Sequence, residues 1–284
     1  MIWHAATLAA NRPAAGSEDE RARVETAQPR KLHPPFQLGR LIAMVPALVV
    51  LLLWQLLSQH QAISAYLLPA PGDVAHALHL AWVDHSLPTA IMTTLGESLG
   101  GFMLGALVAL PLGYAIAHSR ALSWLFEPYI AMSQALPAVA LAPLLVLWLG
   151  YGTLPIVVLC ALIVFFPITV ATVLGLRTLD RDVIDAAAVD GANGWASLWY
   201  IKAPLALPSI LAGVRAGLTY SITGAVVGEF VVNAQGLGGL IMIARGNLDT
   251  PLVFAALLVL ALLAAALYGT GRLLELLSAP VEAK

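Results

Sequence analysis

The sequence predicts an all-α protein, a polytopic membrane helix bundle of about six transmembrane helices. Three observations predict it. Of 284 residues, 60% are hydrophobic and only 11% are charged, against roughly 25% charged usage in soluble domains. Mean hydropathy is +0.86. The apolar residues fall in long uninterrupted runs rather than the alternating strands of a membrane barrel. Unpaired backbone groups are so costly in hydrocarbon that spans of this kind must be helices.

Residues 1–38 are polar, are broken by Pro13, Pro29, Pro34 and Pro35, and carry mixed charge between Glu18 and Glu25. They are expected to form a disordered cytoplasmic tail, because such a stretch cannot bury enough apolar surface to order itself. The first apolar run, 41–57, follows Arg30, Lys31 and Arg40. It begins too far into the chain for an ordinary export signal and lacks a small-residue cleavage site, so an uncleaved anchor is expected. Further spans are expected at 93–116, 122–149, 154–176, 209–231 and 251–274, each suited to a hydrocarbon core of about 30 Å. The third is long enough to be tilted or broken. Pro46, Pro111, Pro137, Pro143 and Pro167 lie within these spans, so kinked helices are expected. The membrane domain is thus 39–275, with a cytoplasmic C-terminal tail at 276–284.

Orientation follows from the basic residues. With the N-terminus inside, Arg120, Arg177, Arg181, Lys202, Arg272 and Lys284 all fall on the cytoplasmic side, and Arg245 falls outside. This is the positive-inside pattern. Both termini are then cytoplasmic, Asp84 and Gly236 are outside, and Asn193 is inside. Arg215 is about two turns into the fifth span, near enough to snorkel.

Small residues indicate how the helices associate. In the second span Gly101, Gly105, Ala109 and Gly113 recur every four residues, and the fifth repeats the device with Gly213, Gly217 and Ser221, then Gly224 and Gly228. Such faces let another backbone approach closely. Both spans are expected in the bundle interior or at a subunit contact. Cys160 is expected to be a buried filler, and a single cysteine supports neither a disulfide framework nor a cysteine metal site. His76 and His79 have metal-like spacing without a third ligand, and no metal site is expected. The net charge of -2 and the lack of clustered basic residues argue against nucleic acid as a partner.

The loop between the fourth and fifth spans, 177–208, is too organised for a connector. Val183, Ile184, Ala187 and Ala188 lie on one side of a short helix that Asp180 or Asp182 can cap. Gly191 permits a tight turn. Asn193 then caps a second helix bearing Trp195, Leu198, Trp199 and Ile201, which Pro204 and Pro208 are expected to stop. A helix-turn-helix knob with an aromatic surface results, and such a surface suits a protein partner.

Within it, Asp185, Ala186, Ala187, Gly191, Ile201 and Pro204 have the spacing of the "EAA" loop of binding-protein-dependent ABC importer permeases, which the chain resembles. Asp185 stands where that family usually has Glu, and Ala203 stands where it has Leu. The resemblance covers roughly residues 65–275, with segments 67–74, 133–152, 210–217 and 224–241 similar to the nitrate, sulfonate and taurine branch. It implies the MetI-like permease fold in a bacterial inner membrane. It also implies a second copy of the permease, two ABC ATPase subunits seated on residues 182–204, and an extracytoplasmic solute-binding protein. ATP and Mg would be bound by the ATPases. This chain has no GxxxxGK(S/T) nucleotide loop and is expected to be a transport subunit, not an enzyme.

The implied cargo is a small organic or inorganic anion such as an aliphatic sulfonate, taurine or nitrate; the alternatives are a heterocyclic nutrient or other small solute, or a membrane scaffold that transports nothing. Candidate pathway residues are the span acids Glu97 and Glu229 and the neutral donors Ser133, Gln134, Thr219, Ser221 and Thr223. Glu97 and Glu229, near the outer ends of their spans, could share a hydrated vestibule with Arg245, gating or packing there. Glu127 lies near the cytoplasmic end of the third span, facing headgroups or the ATPase.

Overall fold

The computed structural model describes residues 36–60, 64, 66–133, 137–232 and 235–278. They form helices α1 (Phe36–Gln59), α2 (Pro71–Val83), α3 (Ser86–His118), α4 (Arg120–Ser133), α5 (Ala138–Leu149), α6 (Thr153–Arg177), α7 (Arg181–Val189), α8 (Trp195–Ser197), α9 (Ala203–Val232), α10 (Leu237–Gly246) and α11 (Thr250–Ser278). A π-helical turn, Leu198–Lys202, joins α8 to α9. No strand occurs among the described residues. The expected tails lie largely outside them, although α1 already begins at Phe36 and α11 runs to Ser278. The chain divides into two units, Met1–Trp54 and Gln55–Lys284. The first contains most of α1, and the second contains α2 to α11.

Among the described residues, four stretches are long and apolar enough to cross a membrane: α3, α6, the continuous helix Leu198–Val232 and α11. The expected third span is broken. Its halves are α4 and α5, and Pro137, with extended backbone, is the N-cap of the second. Proline supplies no N–H to continue the ladder, so the break falls there.

α6 is the central helix, with α3 packed on one side and α9 on the other. α3 runs parallel to it and α9 antiparallel, and both glycine faces converge on it. On the α3 side, a Cβ at Gly101 would collide with Cys160 and lie 2.7 Å from the Val157 carbonyl, and one at Gly105 would lie 2.7 Å from the Ala161 carbonyl. Gly113 sits against Thr169 and Thr172. On the α9 side, Gly213 meets Pro167 and Ala171, Gly217 meets Val164 and Ile168, Gly224 meets Cys160, and Gly228 meets Ile156. Lipid tails are as apolar as leucine, so close backbone approach and dispersion hold such helices together. Cys160 is fully buried between the two faces, its thiol donating to the Ser221 carbonyl at 3.4 Å.

α11 packs on the far side of α9, and α2 and α10 cover the end of the bundle away from α7 and α8. The end carrying α7 and α8 is the knob end.

The glycine faces give a paired test. Gly101→Ala should destabilise the bundle by about 1–3 kcal/mol through overpacking. Gly100→Ala, whose Cβ would meet only the Val157 side chain at 3.7 Å, should be neutral or slightly stabilising through helix propensity. Thermal unfolding in detergent measures both; equal effects would remove the close approach as their cause.

Candidate functional site

The knob is built from caps. Asp180 is the N-cap of α7, its carboxylate accepting from the Asp182 N–H at 2.9 Å. At the other end the Gly191 N–H donates to the Ala188 carbonyl and the Ala192 N–H to the Ala187 carbonyl. That is a Schellman cap, which requires a left-handed residue at the position Gly191 occupies. Gly191 has φ of 88°. A second left-handed glycine, Gly194 with φ of 57°, completes the turn. Only the first was expected to shape it, although the pair is visible in Gly-Ala-Asn-Gly.

The second arm departs from expectation. Pro204 and Pro208 do not stop it. The Ala203 N–H donates to the Leu198 carbonyl, five residues back, and the α-helical register of α9 takes over at Ala203 without a gap. Pro204 therefore occupies a first helical turn, where a missing N–H costs nothing. The arm consequently runs unbroken from the knob into α9, with Pro208 inside that helix. Val189, Trp199 and Tyr200 are exposed at 88%, 65% and 81%. Asp185, Ala186 and Pro204 are also exposed, whereas Ala187 and Ile201 are half-buried. The side chain of Trp195 lies outside the described residues.

At the opposite end the structure brings Glu97 and Glu229 together, but in the protein interior rather than a vestibule with Arg245. Both are buried, at 2% and 0% exposure, and Oε2 of Glu97 has no hydrogen-bond partner among the described residues, while Arg245 is exposed. Glu229 holds down the start of α10. One carboxylate oxygen accepts from the Thr94 hydroxyl at 2.6 Å and the other from the Gly238 N–H. Thr94 in turn accepts from the Leu237 N–H at 2.8 Å. The orphan donors of a helix terminus are thus met by an acid from a neighbouring helix. A Cβ at Gly236 would come within 2.6 Å of the Glu229 carboxylate and one at Gly238 within 2.8 Å, so the glycines let the loop close over it. Gly236 is buried for the same reason, and is not the exposed outer loop position expected. Thr94 was not among the candidate residues because a threonine in an apolar helix gives no signal of its partners.

The α9 hydroxyls do not converge. Ser221 is buried and donates to Leu218, Thr219 donates to the Arg215 carbonyl, and Thr223 is exposed. Ser133 ends α4; its side chain and Gln134 lie outside the described residues. Arg215 pairs with Glu275 of α11, lies over the Tyr268 ring at 5.3 Å, and packs on Gly271. At the knob end Glu127 accepts from Ser123 at 2.7 Å and from Arg177, tying α4 to α6. The pair is about half exposed, so solvent screens it and it adds little to stability. No group of His, Cys, Asp or Glu able to hold a metal occurs among the described residues.

A family model described as the binding-protein-dependent transport system inner membrane component matches residues 101–276. The riboflavin transport system permease protein of Chloroflexus aurantiacus is 46% identical over 239 residues, 84% of this chain and 89% of that one. The taurine transport system permease protein of Escherichia coli is 30% identical, covering 84% and 90%. The formylaminopyrimidine transport permease protein of Halalkalibacterium halodurans is 31% identical, covering 76% and 86%. Among solved structures, the inward-facing MetNI methionine ABC transporter superposes with a TM-score of 0.62 at 16% identity, over 70% of this chain and 98% of that one, a likeness of fold.

The carboxylate cap predicts a local effect. Thr94→Val keeps the shape but strands both the Glu229 oxygen and the Leu237 N–H, and should cost roughly 2–4 kcal/mol. Hydrogen exchange should accelerate in Leu237–Gly246, with Thr94→Ser largely restoring protection. Unchanged exchange in that helix would show that the cap does not hold it.

Proposed function

The chain belongs to the binding-protein-dependent transport system inner membrane components, and on that premise we propose that it is one of two identical membrane subunits of an ATP-driven importer. Two partner ATPases seat the knob, and a solute-binding protein delivers cargo at the opposite face. The observation that carries this reading is the unbroken path from exposed knob to bundle core. A Schellman turn fixes the angle of α7, and the second arm continues directly into α9, which grips α6 through Gly213, Gly217, Gly224 and Gly228. A displacement of the knob is therefore a displacement of α9, the kind of rigid-element movement alternating access needs.

The knob end is cytoplasmic in this reading. Arg177, Arg181, Lys202 and Arg272 gather there while Arg245 sits at the other end of the bundle, which the positive-inside rule supports.

For cargo, a flat heterocyclic nutrient is favoured over a sulfonate, taurine or nitrate. Arg215 is already paired with Glu275, and the α9 hydroxyls are divided between faces, so neither presents a set of convergent donors to an anion. The 46% identical relative is named for riboflavin, whereas the relative named for taurine is at 30%. Selectivity would then reside mainly in the binding protein, since a site that holds cargo tightly in both states blocks release.

Reconstitution with the cognate ATPase and binding protein tests this. ATP-dependent uptake should favour riboflavin over taurine as the offered solute. Gly191→Val has open space around it but places a β-branched residue at φ of 88°, at a strain cost of about 1–3 kcal/mol. Uptake should fall about tenfold or more while membrane insertion survives. Normal ATPase association and normal uptake in that variant would defeat the coupling assignment.

Orientation has its own test. In a Cys160→Ala background, cysteines at Asp84 and Leu248, both exposed, should react with an impermeant thiol reagent from outside intact cells. One at Asn193 should not. Outside labelling of Asn193 would invert the topology.

A further inference from the structure

Between the end of α3 and the inner side of the knob lies a cavity of about 510 Å³, lined by Tyr114 and His118 from α3 and by Ile184, Ala188, Ala192, Asn193, Gly194, Ser197 and Lys202 from the knob. The cavity lies within the 182–204 segment, on the side of the knob that meets the end of α3, while Val189, Trp199 and Tyr200 stand on the exposed surface of the knob. Its polar groups are unusual in kind. The Lys202 ammonium has three donors, and its one partner among the described residues is the Nε2 of His118 at 3.2 Å. No carboxylate pairs with it, and none lines the cavity. The other side of the His118 ring is committed: Nδ1 lies 3.0 Å from the Tyr114 carbonyl, which can only accept, so Nδ1 carries the hydrogen and Nε2 receives the lysine. Ser197, a buried residue, and Asn193, an exposed one, also line it, and neither side chain is engaged in a hydrogen bond among the described residues. A half-buried cation and two unengaged donors thus face one hollow that offers no acid.

We propose that this cavity is a binding site for a phosphate group, held by Lys202 with Ser197 and Asn193 as neutral donors. Its ligand is either the headgroup phosphate of a lipid or a soluble phosphate. Phosphate suits the set because it presents several acceptor oxygens in different directions to a point cation and separate hydroxyl and amide donors. The location fits both sources: α3 ends at His118, where the span meets the knob. Occupancy would join α3, through Tyr114 and His118, to the knob, through Asn193, Ser197 and Lys202, and would brace the knob against the bundle.

The test uses the full-length permease purified in phosphate-free detergent, with its thermal unfolding midpoint followed in two arms. One titrates inorganic phosphate against sodium chloride at matched ionic strength. The other titrates phosphatidic acid against a glycolipid that lacks phosphate. Saturable stabilisation is expected in at least one arm; a response to inorganic phosphate identifies a soluble ligand, and a response confined to the lipid arm identifies a headgroup. Lys202→Gln should weaken the apparent affinity about tenfold or more, Lys202→Arg should retain most of it, and Ser197→Ala should weaken it by a smaller factor. Should Lys202→Gln fail to fold, Ser197→Ala carries the comparison with wild type. Absence of a saturable response in both arms, or a wild-type response in both Lys202→Gln and Ser197→Ala, would overturn the site.

Discussion

Close approach of backbones around α6 is the constraint on which the rest of this protein depends. In water, burying leucine would hold three helices together; in lipid the tails offer the same apolar surroundings, and only tight packing and hydrogen bonds distinguish protein from solvent. α3 and α9 meet that demand with glycine faces, and Cys160 fills the narrow point where both arrive. A methyl group at Gly101 or Gly105 has nowhere to go except into α6 backbone. Within α6, Thr169 and Thr172 are buried and return their hydroxyls to carbonyls of their own helix.

The far end of the bundle obeys the same rule by another means. α10 begins inside the protein, where its first N–H groups have no water to bind. An unsatisfied terminus in such a place is costly, and Glu229 and Thr94 supply the acceptors. The acid is therefore explained by backbone chemistry. This is a different use from the vestibule that its position near a span end suggests, and it arises because the glycines at 236 and 238 let the chain turn back over the carboxylate.

At the knob end, rigidity is the theme. Asp180 and Gly191 fix both ends of α7, and the π-helical turn lets Pro204 pass into α9 without a break. On the proposed reading, the membrane subunit is a lever whose exposed arm and buried arm are one helix. The cavity behind the knob, whose lysine meets His118 and no carboxylate among the described residues, then lies where a bound phosphate would stiffen or release that lever.

Composition and the lengths of the apolar runs determined the membrane class, the all-α fold and most spans, because hydrocarbon permits so few backbone solutions. The four-residue glycine spacing showed that α3 and α9 would be packed closely, and the knob was legible as two arms about Gly191, since a left-handed turn and a helix cap have local chemical signatures. What faces what was decided only by the tertiary structure. Both glycine stripes meet α6; Thr94 meets Glu229 across 135 residues; Arg215 pairs with Glu275; and His118 meets Lys202 across 84 residues. The stopping of the second arm was misread because a proline breaks a helix only when its missing N–H was needed, and a π-turn just before it removes that need. Local sequence states which donors and acceptors exist. Their partners lie on other helices, and pairing across a bundle depends on axial register and rotation that no single segment carries.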